Sequence, residues 1–244
     1  MHVFFYDPEI NNQKYAVLLS KIETKITDLG LGGKIIRLSL PLNLERIILN
    51  EIKMGQTLIF IGGDRLLNMA LPILTNKDVV IGHIPISNKQ IMATALGISS
   101  PIEACEIIAA RRIIKLDIGQ VNDAAFLTEL NIQSNHSSID IGTEINIDVR
   151  GNSEIKLINI PLNDPELSSS PDDELLELVI ITNSKKSMFQ KATPSVSYFQ
   201  NTEFAINADN TEALLDCISH VQLPIKVQIL PKAINFIVGK DRKF

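Results

Sequence analysis

The segment Thr57-Leu58-Ile59-Phe60-Ile61 is an almost wholly apolar run that stops abruptly at Gly62-Gly63-Asp64. A strand of that composition belongs where both its faces are covered, inside a parallel sheet. Parallel neighbours must be joined by crossovers, usually helical, and the flanking sequence supplies them. Residues 2–6 form a short apolar strand closed by Asp7-Pro8. Tyr15, Leu18, Leu19, Ile22, Ile26 and Leu29 then recur at helical spacing, Gly30, Gly32 and Gly33 end that helix, and 34–38 reads as a second strand. Residues 42–52 and 65–74 are helical, 79–84 is a further strand, and two more helices follow near 89–96 and 101–110. This alternation predicts an α/β fold: an open parallel sheet with helices on both faces.

The texture changes at Arg111-Arg112. Short strand-like pieces follow at 113–121, 125–130, 144–150, 154–160, 175–182, 204–207, 225–230 and 234–238, with a hairpin signal at Gly151-Asn152-Ser153. Many short strands with few helices predict a β-sandwich or barrel. The expected division is an α/β nucleotide-binding-like domain over 1–110 and a β-sandwich domain over 111–244, with the last segment free to pack back on the first.

Composition narrows the function classes. A chain of 244 residues with 45% hydrophobic side chains is a folded one. No stretch approaches the roughly 20 apolar residues of a membrane span, and the first residues lack the basic and apolar regions of a signal peptide. Two cysteines, Cys105 and Cys217, cannot build a disulfide framework or a four-cysteine zinc site, so a cytoplasmic setting is expected. A net charge of −5 and 5% aromatic residues disfavour nucleic acid as a partner. His2, His83, His136 and His220 are scattered without metal-ligand spacing. His83, inside an apolar strand, reads as a structural histidine, and Cys105 reads as core.

Two glycine-rich turns invite a phosphate. Gly30-Leu31-Gly32-Gly33-Lys34 follows a helix rather than a strand and carries Ile35 where a Walker loop needs Ser or Thr, so it reads as a helix C-cap. Gly62-Gly63-Asp64 sits between a buried strand and a helix, where backbone amides and the helix dipole meet ligands. On local evidence it is equally a tight βα turn.

Ile61-Gly62-Gly63-Asp64-Arg65-Leu66-Leu67-Asn68 resembles the Gly-Gly-Asp-Gly-Thr-Leu-Asn signature of the diacylglycerol kinase catalytic-domain family, which includes bacterial lipid kinases and is related to NAD and sphingosine kinases. Ile84-Pro85-Ile86, Ala95-Leu96-Gly97-Ile98, Pro101-Ile102-Glu103-Ala104, Leu116-Asp117-Ile118-Gly119 and the stretch from Pro171 to Leu178 follow in the family's order. The closing strands, Leu223-Pro224-Ile225 to Pro231-Lys232-Ala233, resemble it too. The resemblance implies ATP and Mg2+ as cofactors, nucleotide and lipid as ligands, and an active site between an α/β domain and a β-sandwich. Gly62, Gly63, Asp64, Arg65, Asn68, Ser87 and Asn88 then fall at cofactor-binding positions, and Asp216 at a catalytic one.

Chemically important positions depart from the pattern. Arg65 stands for a glycine and Leu66 for a threonine. Ser87-Asn88-Lys89-Gln90-Ile91 stands where the family carries Gly-Thr-Gly-Asn-Asp, and Asp216-Cys217-Ile218 where it carries Asp-Gly-Glu. The family's Gly-x-Gly-Phe-Asp-Ala segment has no counterpart between Asn131 and Gly142. Phosphoryl transfer is almost entirely positioning and charge stabilisation. The expectation is therefore a non-catalytic binding or regulatory module, cytoplasmic or peripheral to a membrane, self-associating or paired with an active kinase. The alternative is an active lipid kinase whose Arg65 and Lys89 replace lost phosphate contacts. Asp64 and Asp216 remain open as metal ligands or as turn caps.

Overall fold

A computed structural model describes residues 1–40, 43–53, 55–86, 90–162, 170–182, 194–208 and 211–244. The chain divides into two compact units, Met1–Leu116 with Lys232–Phe244, and Asp117–Pro231.

The first unit contains β1 (His2–Tyr6), α1 (Ala16–Asp28), β2 (Gly33–Arg37), α2 (Leu44–Glu51), β3 (Thr57–Gly62), α3 (Asp64–Leu74), β4 (Val80–Pro85), α4 (Ile91–Ala95) and α5 (Pro101–Ala110). Its strands run parallel in the order β2-β1-β3-β4. The last residues of β14 (Ile225–Ile237) add a parallel edge beside β4. Every residue of β3 and β4 is buried, and each large apolar side chain so placed contributes about 1.5–3 kcal/mol. Successive residues of a strand face opposite sides of a sheet, and β4 shows both sides covered. Gly82 lies against Ile108 of α5, and a Cβ there would come within 3.3 Å of it. The next residue, His83, faces Asp64 of α3. The open parallel sheet with two helical faces is thus present. Because the order reverses between β1 and β3, their carboxyl ends define a crevice of the kind that holds ligands in such sheets.

The second unit is antiparallel and strand-rich. It holds the later part of β5 (Ile113–Val121), then β6 (Ala124–Phe126), β7 (Glu129–Ile141), β8 (Ile145–Ile158), β9 (Leu176–Thr182), β10 (Ser195–Asn201), β11 (Glu203–Asn207), β12 (Glu212–Leu215), β13 (Ser219–Gln222) and the start of β14. One core gathers Phe126, Leu130, Ile139, Ile155, Leu178, Phe204, Leu215 and Val227 from these strands.

The strand boundaries correct several expectations. Gly151-Asn152-Ser153 is not a hairpin turn; β8 runs through it. Ser134 pairs with Ser153 and His136 with Arg150, so β8 carries an extra residue, a bulge at Gly151 whose φ of +89° suits glycine. The pieces at 225–230 and 234–238 are one strand, with Lys232 at φ +49° where a break was expected. Residues 125–130 contribute to two strands. The strands β10, β12 and β13 carry no signal in the sequence reading. Among the described residues, no helix is long and apolar enough to cross a membrane.

Candidate nucleotide-loop and aspartate sites

The Gly62 turn lies at the crevice between β1 and β3. Asp7, just past β1, donates its amide to Ile61 O (2.9 Å), and its buried carboxylate accepts from the amides of Glu9 (2.9 Å) and Gly63. A Cβ on Gly62 would collide with the Asp7 Cβ and lie 2.8 Å from its Oδ2. Glycine is therefore demanded here by packing against Asp7, with or without a ligand. Burial pushes the Asp7 carboxyl above its ordinary value, opposed by those amide hydrogen bonds.

Asp64 opens α3 and is buried. Its Oδ1 lies 3.1 Å from His83 Nε2, and its Oδ2 accepts the Met92 amide at 2.9 Å. His83 Nδ1 in turn faces Phe60 O at 3.1 Å. One carboxylate thus ties the βα turn to β4 and to the start of α4. Asn68, one turn further along α3, is buried too. Arg65 points outward; its Nη1 meets Glu9 Oε1 at 3.0 Å, with both side chains about two-thirds exposed.

The structure therefore brings Gly62, Gly63, Asp64, Arg65 and Asn68 together around one turn. Ser87 and Asn88, with Lys89, lie outside the described residues. Sequence reasoning missed Asp7, Glu9, His83 and Met92 as members of the turn. The Asp7-Pro8 break after an apolar strand was the available signal for Asp7; nothing local marks the others.

Asp216 lies in the second unit, fully buried. Leu215-Asp216-Cys217-Ile218 forms the tight turn joining β12 to β13: Ile218 N donates to Leu215 O (2.8 Å), with φ of +49° at Asp216 and +56° at Cys217. Two successive positive φ values mark it as a turn that favours glycine or asparagine at its centre. The Asp216 carboxylate reaches across to the segment before β7. Leu127 N donates to Oδ2 at 2.9 Å, and Thr128 N (2.7 Å), Thr128 Oγ1 (2.6 Å) and Glu129 N (3.3 Å) donate to Oδ1. Burial pushes this carboxyl up while those hydrogen bonds pull it down, with burial the larger. Beside it, burial also raises the carboxyl of half-buried Glu129. A second buried carboxylate, Asp117, accepts the Glu174 amide at 2.7 Å while its own amide donates to Pro171 O at 2.6 Å. Two of the sequence's motif stretches, 116–119 and 171–178, thus meet.

Residues 1–121 match the family model of the diacylglycerol kinase catalytic domain. Over these residues the chain belongs to that family. The diacylglycerol kinase fold extends to the rest of the chain. A diacylglycerol kinase structure from Bacillus anthracis superimposes with a TM-score of 0.77 at 14% identity, covering 98% of this chain and 97% of that one. An NAD kinase from Archaeoglobus fulgidus, solved in complex with ATP, follows at a TM-score of 0.56 and 13% identity, covering 99% and 95%. No curated protein matches in sequence.

The chemistry open to this diacylglycerol-kinase-like turn is limited by its hydrogen bonds. A divalent cation wants several unspent oxygens. Here both oxygens of Asp64 are engaged, Asp7 is held by two amides, and among the described residues no three His, Cys, Asp or Glu side chains converge on a point. The described residues do not fit a Mg2+ ion. The start of α3 and the Arg65 guanidinium do fit a phosphate, since an exposed ion pair such as Arg65–Glu9 contributes little and exchanges readily.

Proposed function

We propose that this chain is a lipid-kinase-fold protein acting as a binding or regulatory module rather than a phosphotransferase. The observation that carries the reading is the engagement of both Asp64 carboxylate oxygens, one by His83 and the other by the Met92 amide. Three features support it. Arg65 and Leu66 stand where the family carries glycine and threonine, Ile218 where it carries an acid, and Asp216 is spent on four hydrogen bonds as the anchor of a turn. A base must reach the proton it takes, and a buried, fully bonded carboxylate does not. Asp216 is thus proposed as a structural residue, and Gly62, Gly63, Arg65 and Asn68 as the remnant of a phosphate turn.

The test is phosphoryl transfer from ATP to diacylglycerol, sphingoid bases and NAD in detergent micelles with Mg2+. The module reading expects no product above background. Turnover that is abolished by Asp64→Ala would overturn it.

The exposed Arg65–Glu9 pair favours a second reading, an active kinase with a rebuilt phosphate site. This reading requires nucleotide binding. It fails if millimolar ATP with Mg2+ gives neither calorimetric heat nor a rise in melting temperature.

A further inference from the structure

A cavity of about 670 Å3 opens on the second unit, and a neighbouring one of about 340 Å3 shares Asn122, Asp140, Ala205 and Lys226 with it. Together they form one trough. None of the residues nominated from the sequence lines it.

Strand register explains its shape. Ala205 of β11 pairs with Asp140 of β7 on one side and Lys226 of β14 on the other. Their chain neighbours Ile139, Ile206, Ile225 and Val227 belong to the core, so alternation turns this row outward. Two strand spacings, roughly 10 Å, separate the Asp140 and Lys226 backbones, and the side chain between them is a single methyl. Among the described residues Lys226 makes no ion pair. Asp140, which lines both cavities, accepts Asn146 Nδ2 on Oδ1 at 2.6 Å. In the next row Glu203 pairs with Gln228. Gln228 Nε2 donates to Gln120 Oε1 (2.7 Å), and Gln120 Nε2 to Asn122 O (3.3 Å). One wall is thereby fastened before any ligand arrives, which lowers the ordering cost of binding.

The lining selects a class of ligand. Asp140, Glu144 and Glu203 outnumber Lys226, which repels anions. The Phe204 ring is committed to the core, so no aromatic platform serves a flat apolar ligand. A molecule dense in hydroxyls, each both donor and acceptor, matches a slot with an acceptor on one side and a donor on the other. We propose that the trough binds a neutral cyclic polyol, a sugar or cyclitol ring. It sits over Ala205 with one hydroxyl donating to Asp140 and a neighbouring one accepting from Lys226.

The test uses the full chain, saturation-transfer NMR and calorimetry, with glucose, galactose and myo-inositol as probes and glucose 6-phosphate as the anionic control. The expected result is saturable binding of at least one neutral probe, tighter than the phosphate. Asp140→Ala should weaken it about tenfold, as loss of a charged hydrogen-bond partner does. Ala205→Gln should abolish it by filling the slot, and both variants should melt like the parent because the row faces outward. No saturable binding by any neutral probe, tighter binding of the phosphate, or unchanged affinity in Ala205→Gln overturns the proposal.

Discussion

His83 Nε2 lies 3.1 Å from Asp64 Oδ1, and both residues are buried. The other ring nitrogen faces a carbonyl, Phe60 O, at 3.1 Å. The imidazole therefore bridges the Asp64 side chain and the β3 backbone. The pair fastens the glycine turn to the sheet. Replacing His83 by Ala leaves a buried Asp64 oxygen without this partner, and a buried polar group left unmet costs about 1–3 kcal/mol. Urea unfolding of His83→Ala should show a loss of that size. Asp64→Asn combined with His83→Ala should lose less than the sum of the single changes.

Gly62→Ala separates packing from ligand binding. The new Cβ would lie 2.8 Å from Asp7 Oδ2, with no room on a strand end fixed by the sheet. The expected loss is about 1–3 kcal/mol without any ligand present. Pairing the change with Asp7→Gly should recover part of it, read by thermal melting.

Cys217 carries φ +56° in a turn whose preferred residue at that position is glycine. A left-handed non-glycine residue costs roughly 1–2 kcal/mol, partly offset by the greater chain entropy of glycine. Cys217→Gly should therefore stabilise the chain by about 0.5–1 kcal/mol in urea unfolding. In contrast, Asp216→Asn should destabilise it, because the amide would turn a donor toward backbone N–H groups that now meet oxygens.

Asp7 sets a pH dependence. Its folded carboxyl is raised by burial above its ordinary value of 3.8, so the folded state binds the proton more tightly than the unfolded chain does. That contribution to stability is full below the unfolded value and is lost as pH rises through the folded one. Asp7→Asn keeps the oxygen that accepts Glu9 N and removes the titration. The difference in melting temperature between this variant and the parent should grow in the variant's favour as pH rises from 4 to 7.

The parallel half of the fold was legible because burial on both faces leaves a mark in composition, as in residues 57–61. The glycine turn was legible for the same reason, since it interrupts that run. The reason for Gly62 was not, because Asp7 reaches it only through the pairing of β1 with β3. His83 looks like an isolated histidine until strand alternation aims it at Asp64, 19 residues earlier. Asp216 meets Thr128 across 88 residues, and no local pattern carries such a distance. Gly151 shows the converse error. A bulge and a hairpin turn ask for the same residue, and only the partner strand distinguishes them.

The closed state of Asp64 is measured most directly with Mn2+, a paramagnetic stand-in for Mg2+, added with ATP to the 15N-labelled chain. A bound ion broadens nearby amide signals. With the carboxylate held by His83 and Met92, the Gly63, Asp64 and Met92 amides should lose no more intensity in the parent than in Asp64→Asn at the same Mn2+ and ATP. Selective broadening of these signals that disappears in Asp64→Asn would contradict the account.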